Sequence, residues 1–141
     1  MPLPNSENPR KGRDFEERAS QALQNKYGQR FAKKAIGIGN PSKLHYFDLV
    51  SEDDSVIAEC KNYSYTETGN IPSAKMAFLN EAVLYLSHVP RDRTKVIVLR
   101  KEHHLRKSES LADYYKRTYL HLLDGIAVME LDVETMELTE R

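Results

Sequence analysis

Residues 47–63, FDLVSEDDSVIAECKNY, are the stretch that most limits how the chain can fold. Two short apolar runs flank an acidic turn, which predicts an antiparallel hairpin with strands over 44–50 and 56–62. A hairpin of this kind should show one apolar face to a core and one polar face to water. This one instead carries Asp48, Glu59 and Lys61 inside its apolar runs. The pattern indicates that the hairpin keeps these charges for a chemical purpose.

Strand alternation predicts how the two strands pair. With residues 52–55 as the loop, Asp48 lies directly opposite Glu59, and four residues share the apolar face: Phe47, Leu49, Ala58 and Cys60. Two carboxylates about 4 Å apart repel by about 4 kcal/mol at an effective dielectric of about 20. A divalent cation between them would turn this repulsion into a net attraction. Mg²⁺ suits the position because it accepts one or two carboxylates and completes its shell with water and phosphate oxygens. Lys61 could then orient an attacking water or stabilise charge on a phosphate.

The remaining pattern predicts helices over 12–29, 73–89 and 108–125 and strands over 31–39, 94–101, 126–132 and 136–140. The order αβββαβαββ indicates an α/β fold with a mixed sheet flanked by helices. The continuous apolar run Val96–Leu99 predicts a central strand buried on both faces. Asp14 is the expected N-cap of the first helix, with Glu17 in the capping-box position.

Length and composition favour one intracellular domain. The chain has 141 residues, which suits a single domain over 11–141 after a flexible, polar N-terminal tail over 1–10. One cysteine excludes an intrachain disulfide, and we expect no disulfide-linked partner and a reducing compartment, the cytoplasm. No apolar run approaches the roughly 20 residues that span a membrane, so no membrane association is expected.

Net charge is zero, but its distribution is uneven. Residues 1–50 hold nine basic and five acidic residues, whereas residues 51–141 hold twelve and sixteen. The segment Arg91–Lys107 is the most basic part of the second half. One side of the domain could therefore face phosphates. An ordinary solvated surface of mixed charge explains the same distribution.

The stretch FDLV…IAECKNY resembles the core motif of the PD-(D/E)XK nuclease superfamily, with Asp48 as its first acid and Glu59-Cys60-Lys61 as E-x-K. KGRDFE resembles the upstream helix that supplies another acid in Holliday-junction resolvases and Mrr-like restriction enzymes, and Glu16 matches that acid. Phe47 stands where the motif has proline.

The resemblance implies a restriction-endonuclease-like domain that acts as a Mg²⁺-dependent endodeoxyribonuclease, with Mn²⁺ as a substitute. Asp48, Glu59 and the backbone carbonyl of Cys60 would bind the metal, and Lys61 would position the attacking water. Glu16 would bind a second metal or reach the first through water. DNA is the implied partner, and a homodimer would allow both strands to be cut. Two alternatives remain: a catalytically idle nucleic-acid-binding or assembly domain of the same fold, and an RNA-directed nuclease.

Further contacts to nucleic acid are expected around this motif. Asn62 and Tyr63 follow the lysine and would lie at the mouth of the site, although ordinary strand-end polar residues explain them equally well. A second group follows the strand over 94–101, where basic and imidazole side chains could contact phosphates: Arg100, Lys101, His103, His104, Arg106 and Lys107.

Overall fold

The computed structural model describes the backbone of residues 7–102 and 108–141, and their side chains from residue 11 onward. Three helices and six strands follow one another along these described residues. They are α1 (Glu7–Tyr27), β1 (Phe31–Ile38), β2 (Lys43–Ser51), β3 (Val56–Lys61), α2 (Ser73–Ser87), β4 (Thr94–Arg100), α3 (Leu111–Leu123), β5 (Ala127–Leu131) and β6 (Leu138–Glu140). The fold is α/β, as the sequence predicts.

All six strands form one mixed sheet in the order β1-β2-β3-β4-β5-β6. The pairs β1–β2, β2–β3 and β5–β6 are antiparallel, and β3–β4 and β4–β5 are parallel. Parallel neighbours need a crossover connection, and α2 and α3 supply the two that this sheet requires. Val96 through Leu99 are fully buried in β4, between β3 and β5. The prediction of a central strand buried on both faces is therefore confirmed.

The helices cover the two faces of the sheet. On one face α1 packs its apolar stripe, including Phe15, Ala19 and Leu23, against β3, β4 and β5. On the other face α2 and α3 bury a larger core that includes Leu79 and Tyr115. Because β3 and β4 are covered on both sides, polar groups near their carboxyl ends are exposed only at the end of the sheet. No helix among residues 7–102 and 108–141 is long and apolar enough to cross a membrane.

The start of α1 differs from the prediction. The helix begins at Glu7, so Asp14 lies about two turns inside it and is not its N-cap. Pro9 does not interrupt this extension, because it falls in the first turn, where its missing N–H costs no hydrogen bond. The predicted tail over 1–10 therefore overlaps the helix from Glu7 onward, and residues 1–6 lie outside the described part of the chain. Gly28 ends the helix with a positive φ of 71° and donates to Gln24 O.

A β-bulge in β2 overturns one predicted grouping. Ala32 pairs with Val50 and Lys34 pairs with Phe47, so β2 advances three residues where β1 advances two. The extra residue lies at Asp48–Leu49 and breaks the alternation. As a result, Phe47 belongs to the core under α2 and α3, whereas Leu49, Ala58 and Cys60 belong to the core under α1. The prediction that these four residues share one face was wrong for Phe47.

Candidate active site

The candidate site lies where β2 and β3 separate. The two strands pair at Leu49–Ala58 and Val50–Ile57, which is the register that the sequence predicts. These pairs lie next to the turn, which Ser51 stabilises by accepting the backbone N–H of Val56 at 2.9 Å. Within the described hairpin, the pairing does not continue beyond them towards the other end. Asp48 and Glu59 are the next residues on each strand, at the point where the gap opens.

Asp48 occupies this gap and replaces part of the missing backbone pairing. Its Oδ2 accepts a hydrogen bond from the backbone N–H of Cys60 at 2.9 Å. In an extended strand the N–H and C=O of one residue point to the same side. The carbonyl of Cys60 therefore faces the same gap as the carboxylate of Asp48. The thiol of Cys60 is buried on the α1 side and its pKa is raised well above the usual value, chiefly by burial.

Glu59 lies beside Asp48 and is only 6% exposed. Burial is the main reason that its pKa rises to about 9, and a hydrogen bond with Asp48 and the charge of Asp48 add to the shift. Lys61 opposes the shift but does not cancel it. Without a further cation, this raised pKa keeps the carboxyl group of Glu59 protonated at neutral pH. The two acids are close enough to share one small positive partner.

Glu16 approaches the same place from α1. It is partly buried, and burial followed by the charge of Asp48 raises its pKa. Lys33, Lys61 and Arg13 act in the opposite direction. Glu17, the next residue, is exposed. The structure thus brings together Glu16, Asp48, Glu59 and Lys61, the four residues that the sequence analysis selects as catalytic.

Lys61 is available for chemistry. Its side chain is partly buried, and it makes no ion pair or hydrogen bond with any residue that the structure describes. Its charge nevertheless acts on both Glu16 and Glu59. A lysine in this position places one positive charge beside the acids without neutralising either of them by direct contact.

The donor set suits a hard divalent cation that keeps part of its water shell. Within residues 7–102 and 108–141, no group of three or more His, Cys, Asp and Glu side chains could hold a metal ion. Glu16 therefore does not join Asp48 and Glu59 in a ready-made cage of three acids. Two carboxylates and one backbone carbonyl remain as candidate ligands. That number fits Mg²⁺, which binds through one or two carboxylates and leaves places for water and substrate phosphate.

The predicted nucleic-acid contacts divide into four groups. Asn62 and Arg100 are brought together, because Arg100 Nε donates to Asn62 Oδ1 at 2.6 Å. Tyr63 is partly buried against the core and carries Lys75 Nζ 5.1 Å from its ring centre, so only part of its surface is accessible. Lys101 is exposed just after β4. The remaining predicted contacts, His103, His104, Arg106 and Lys107, lie outside the described residues.

Lys33 and Arg13 are site residues that the sequence did not single out. Both influence Glu16, and Lys33 lies on β1 opposite the bulge at Asp48. Its neighbour Lys34 is instead paired with Asp54 at the hairpin turn. Strand alternation places these adjacent lysines on opposite faces of the sheet and does not show which of them lies near the acids. Only the irregular register between β1 and β2 shows which of them lies near the acids.

Comparison of the chain with protein-family models, with curated proteins and with solved structures gives no significant match. The function is therefore inferred from the residues of the site and from their geometry.

Proposed function

We propose that this protein is a metal-dependent nuclease of the PD-(D/E)XK superfamily, with a restriction-endonuclease-like fold, that hydrolyses phosphodiester bonds of DNA. The observation that carries the proposal is the meeting of Glu16, Asp48, Glu59 and Lys61 at the gap between β2 and β3. These residues come from one helix and two strands, so their meeting is a property of the fold and not of a short motif.

Each residue has a distinct role in the proposed reaction. Asp48, Glu59 and the carbonyl of Cys60 hold Mg²⁺ or Mn²⁺, which supplies charge stabilisation at the scissile phosphate. Lys61 orients the attacking water and stabilises the negative charge that develops on the phosphate oxygens. Glu16 orders water at the site or contributes to a second cation. The buried position of Glu59 limits the access of bulk water, which strengthens these electrostatic interactions.

Two further features complete the proposal. Cleavage of both strands of a duplex requires two such sites, so we propose a homodimer. The single buried cysteine suits a reducing compartment, and the proposed location is the cytoplasm.

A substrate panel tests the proposal. The protein is incubated with supercoiled, linear, single-stranded and branched DNA, and with RNA, in Mg²⁺, Mn²⁺ or EDTA. We expect cleavage of at least one DNA form in Mg²⁺ or Mn²⁺ and none in EDTA. Asp48→Asn should abolish cleavage, whereas Glu52→Gln, an exposed change in the turn of the same hairpin, should not.

Three results would contradict the proposal. Cleavage that persists in EDTA would exclude the metal, and equal cleavage by Asp48→Asn would exclude the site. Binding of DNA without cleavage under every condition would favour the catalytically idle domain.

A further inference from the structure

A small basic pocket lies beside the candidate active site. It has a volume of about 160 Å³ and is lined by Lys11 and Arg18 of α1, by Arg100 at the end of β4 and by Asn62, which follows β3. It therefore brings three positive side chains from two separate parts of the chain to one opening. Asp14 is the acid that lines the same pocket.

Two of the three cations, Arg100 and Arg18, are held in place by hydrogen bonds but are not neutralised. Asn62 holds Arg100 through Nε at 2.6 Å, and Arg18 Nη1 donates to the carbonyl of Val133 at 3.1 Å. Neither partner carries a charge. Within the described residues, none of the three cations forms an ion pair with an acid, Asp14 included. Guanidinium groups held in this way retain free N–H donors, and their preferred ligands are phosphate or carboxylate oxygens.

The pocket adjoins the catalytic residues on two sides. Asn62 follows Lys61 directly, and Phe15, which also lines the pocket, precedes Glu16. The pocket also lies at the carboxyl ends of the parallel strands β3 and β4, where open α/β sheets bind their ligands. A phosphate bound there would lie close to a phosphate placed between Asp48, Glu59 and Lys61.

We propose that this pocket binds a phosphate of the substrate strand that neighbours the one cleaved. The proposal rests on the nuclease function proposed above. It assigns Lys11 and Arg18 a role that their sequence neighbourhood does not reveal, and it explains why Arg100 is tied to Asn62. The site fixes the register of the strand on the enzyme and does not take part in bond cleavage.

A pair of double variants tests the pocket. Lys11→Gln/Arg100→Gln removes two of its cations. Lys26→Gln/Arg30→Gln removes the same charge from exposed residues at the far end of α1 and the start of β1. Binding of a duplex in EDTA is followed by fluorescence anisotropy over a range of salt concentrations. The pocket variant should bind more weakly, with a log–log salt slope less steep by about 0.9 for each phosphate that it no longer neutralises. The control should match wild type.

Cleavage by wild type, measured in parallel, separates the two proposals. If wild type cleaves and the pocket variant binds with the slope of the control, the pocket is refuted and the nuclease function stands. If the salt slopes of wild type and the pocket variant differ as expected but wild type never cleaves, the pocket proposal stands and the nuclease function fails. Lys11→Gln alone, at an exposed residue, gives the same test should the double variant not fold.

The source of the phosphate is tested by NMR of the Arg100 Nε–Hε group. A shift at low concentrations of duplex, with inorganic phosphate effective only at much higher concentrations, supports a site for strand phosphates. A shift with inorganic phosphate and none with duplex overturns that assignment and indicates a site for free anions. No shift with either ligand overturns the pocket itself.

Discussion

Replacing Glu59 by glutamine should make the metal-free protein more stable at neutral and alkaline pH. The folded-state pKa of Glu59 is about 9, chiefly because the side chain is buried, whereas an unfolded glutamate ionises near pH 4.5. Between these values the folded protein binds one more proton than the unfolded chain. Wild-type stability must therefore fall as pH rises, by about 1.4 kcal/mol per pH unit, or roughly 4 kcal/mol between pH 5 and pH 8.

Glutamine removes this dependence because it does not ionise and can still donate an N–H to Asp48. Urea unfolding in EDTA at several pH values measures the effect, with Glu52→Gln as a matched change at an exposed residue of the same hairpin. Near pH 5 the Glu59→Gln variant and wild type should be about equally stable, and near pH 8 the variant should be more stable by several kcal/mol. Parallel pH profiles for the two proteins would refute the reasoning, because Glu59 would then ionise as freely in the folded state as in the unfolded one.

Three further predictions concern the hairpin and the site. Lys61→Gln should lower the cleavage rate in single-turnover kinetics about 100-fold or more, whereas duplex affinity in EDTA, measured by anisotropy, should change little. Equal losses of rate and affinity would mean that Lys61 contributes only to DNA binding. Glu16→Gln should slow cleavage about 10- to 100-fold in the same kinetic assay, whereas Glu17→Gln at the exposed neighbouring residue should not. Equal effects of the two substitutions would show that Glu16 has no specific role in the site. Ser51→Ala should destabilise the fold by about 1–3 kcal/mol in urea unfolding, because it leaves the buried N–H of Val56 without its acceptor, and a neutral result would mean that water replaces the hydroxyl.

The sequence predicts the framework of this fold well, for reasons that are local. Alternation in the two apolar runs specifies the pairing of Leu49 with Ala58, since a slip of one residue would expose the buried face. The continuous apolar run Val96–Leu99 is buried completely only if both faces of the sheet are covered at this strand. Element types depend on such periodicity, so they follow from the chain alone.

The departures come from contacts that no local pattern encodes. The bulge at Asp48 depends on how β1 pairs with β2, and it places Phe47 on the face opposite to the one predicted. The early start of α1 at Glu7 is compatible with Pro9 in the first turn, but the apolar stripe that begins at Phe15 does not indicate it.

The candidate site also combines a part that the sequence predicts with a part that only the fold reveals. The E-x-K spacing predicts that Glu59 and Lys61 share one strand face, because side chains two residues apart on a strand point the same way. The separation of β2 from β3, which opens the gap that Asp48 fills, appears only in the folded chain. The convergence of Lys11 with Arg100, which are far apart in sequence, likewise requires the packing of α1 on the sheet.

Binding of Mn²⁺ to the purified protein, followed by electron paramagnetic resonance, tests the central claim most directly, because it does not depend on finding the right substrate. That claim is that Asp48 and Glu59 together hold a divalent cation. Wild type should bind Mn²⁺ saturably and release it to excess Mg²⁺. Asp48→Asn should bind at least about tenfold more weakly, and Glu52→Gln should match wild type. Equal Mn²⁺ affinity in folded Asp48→Asn and wild type would contradict the claim.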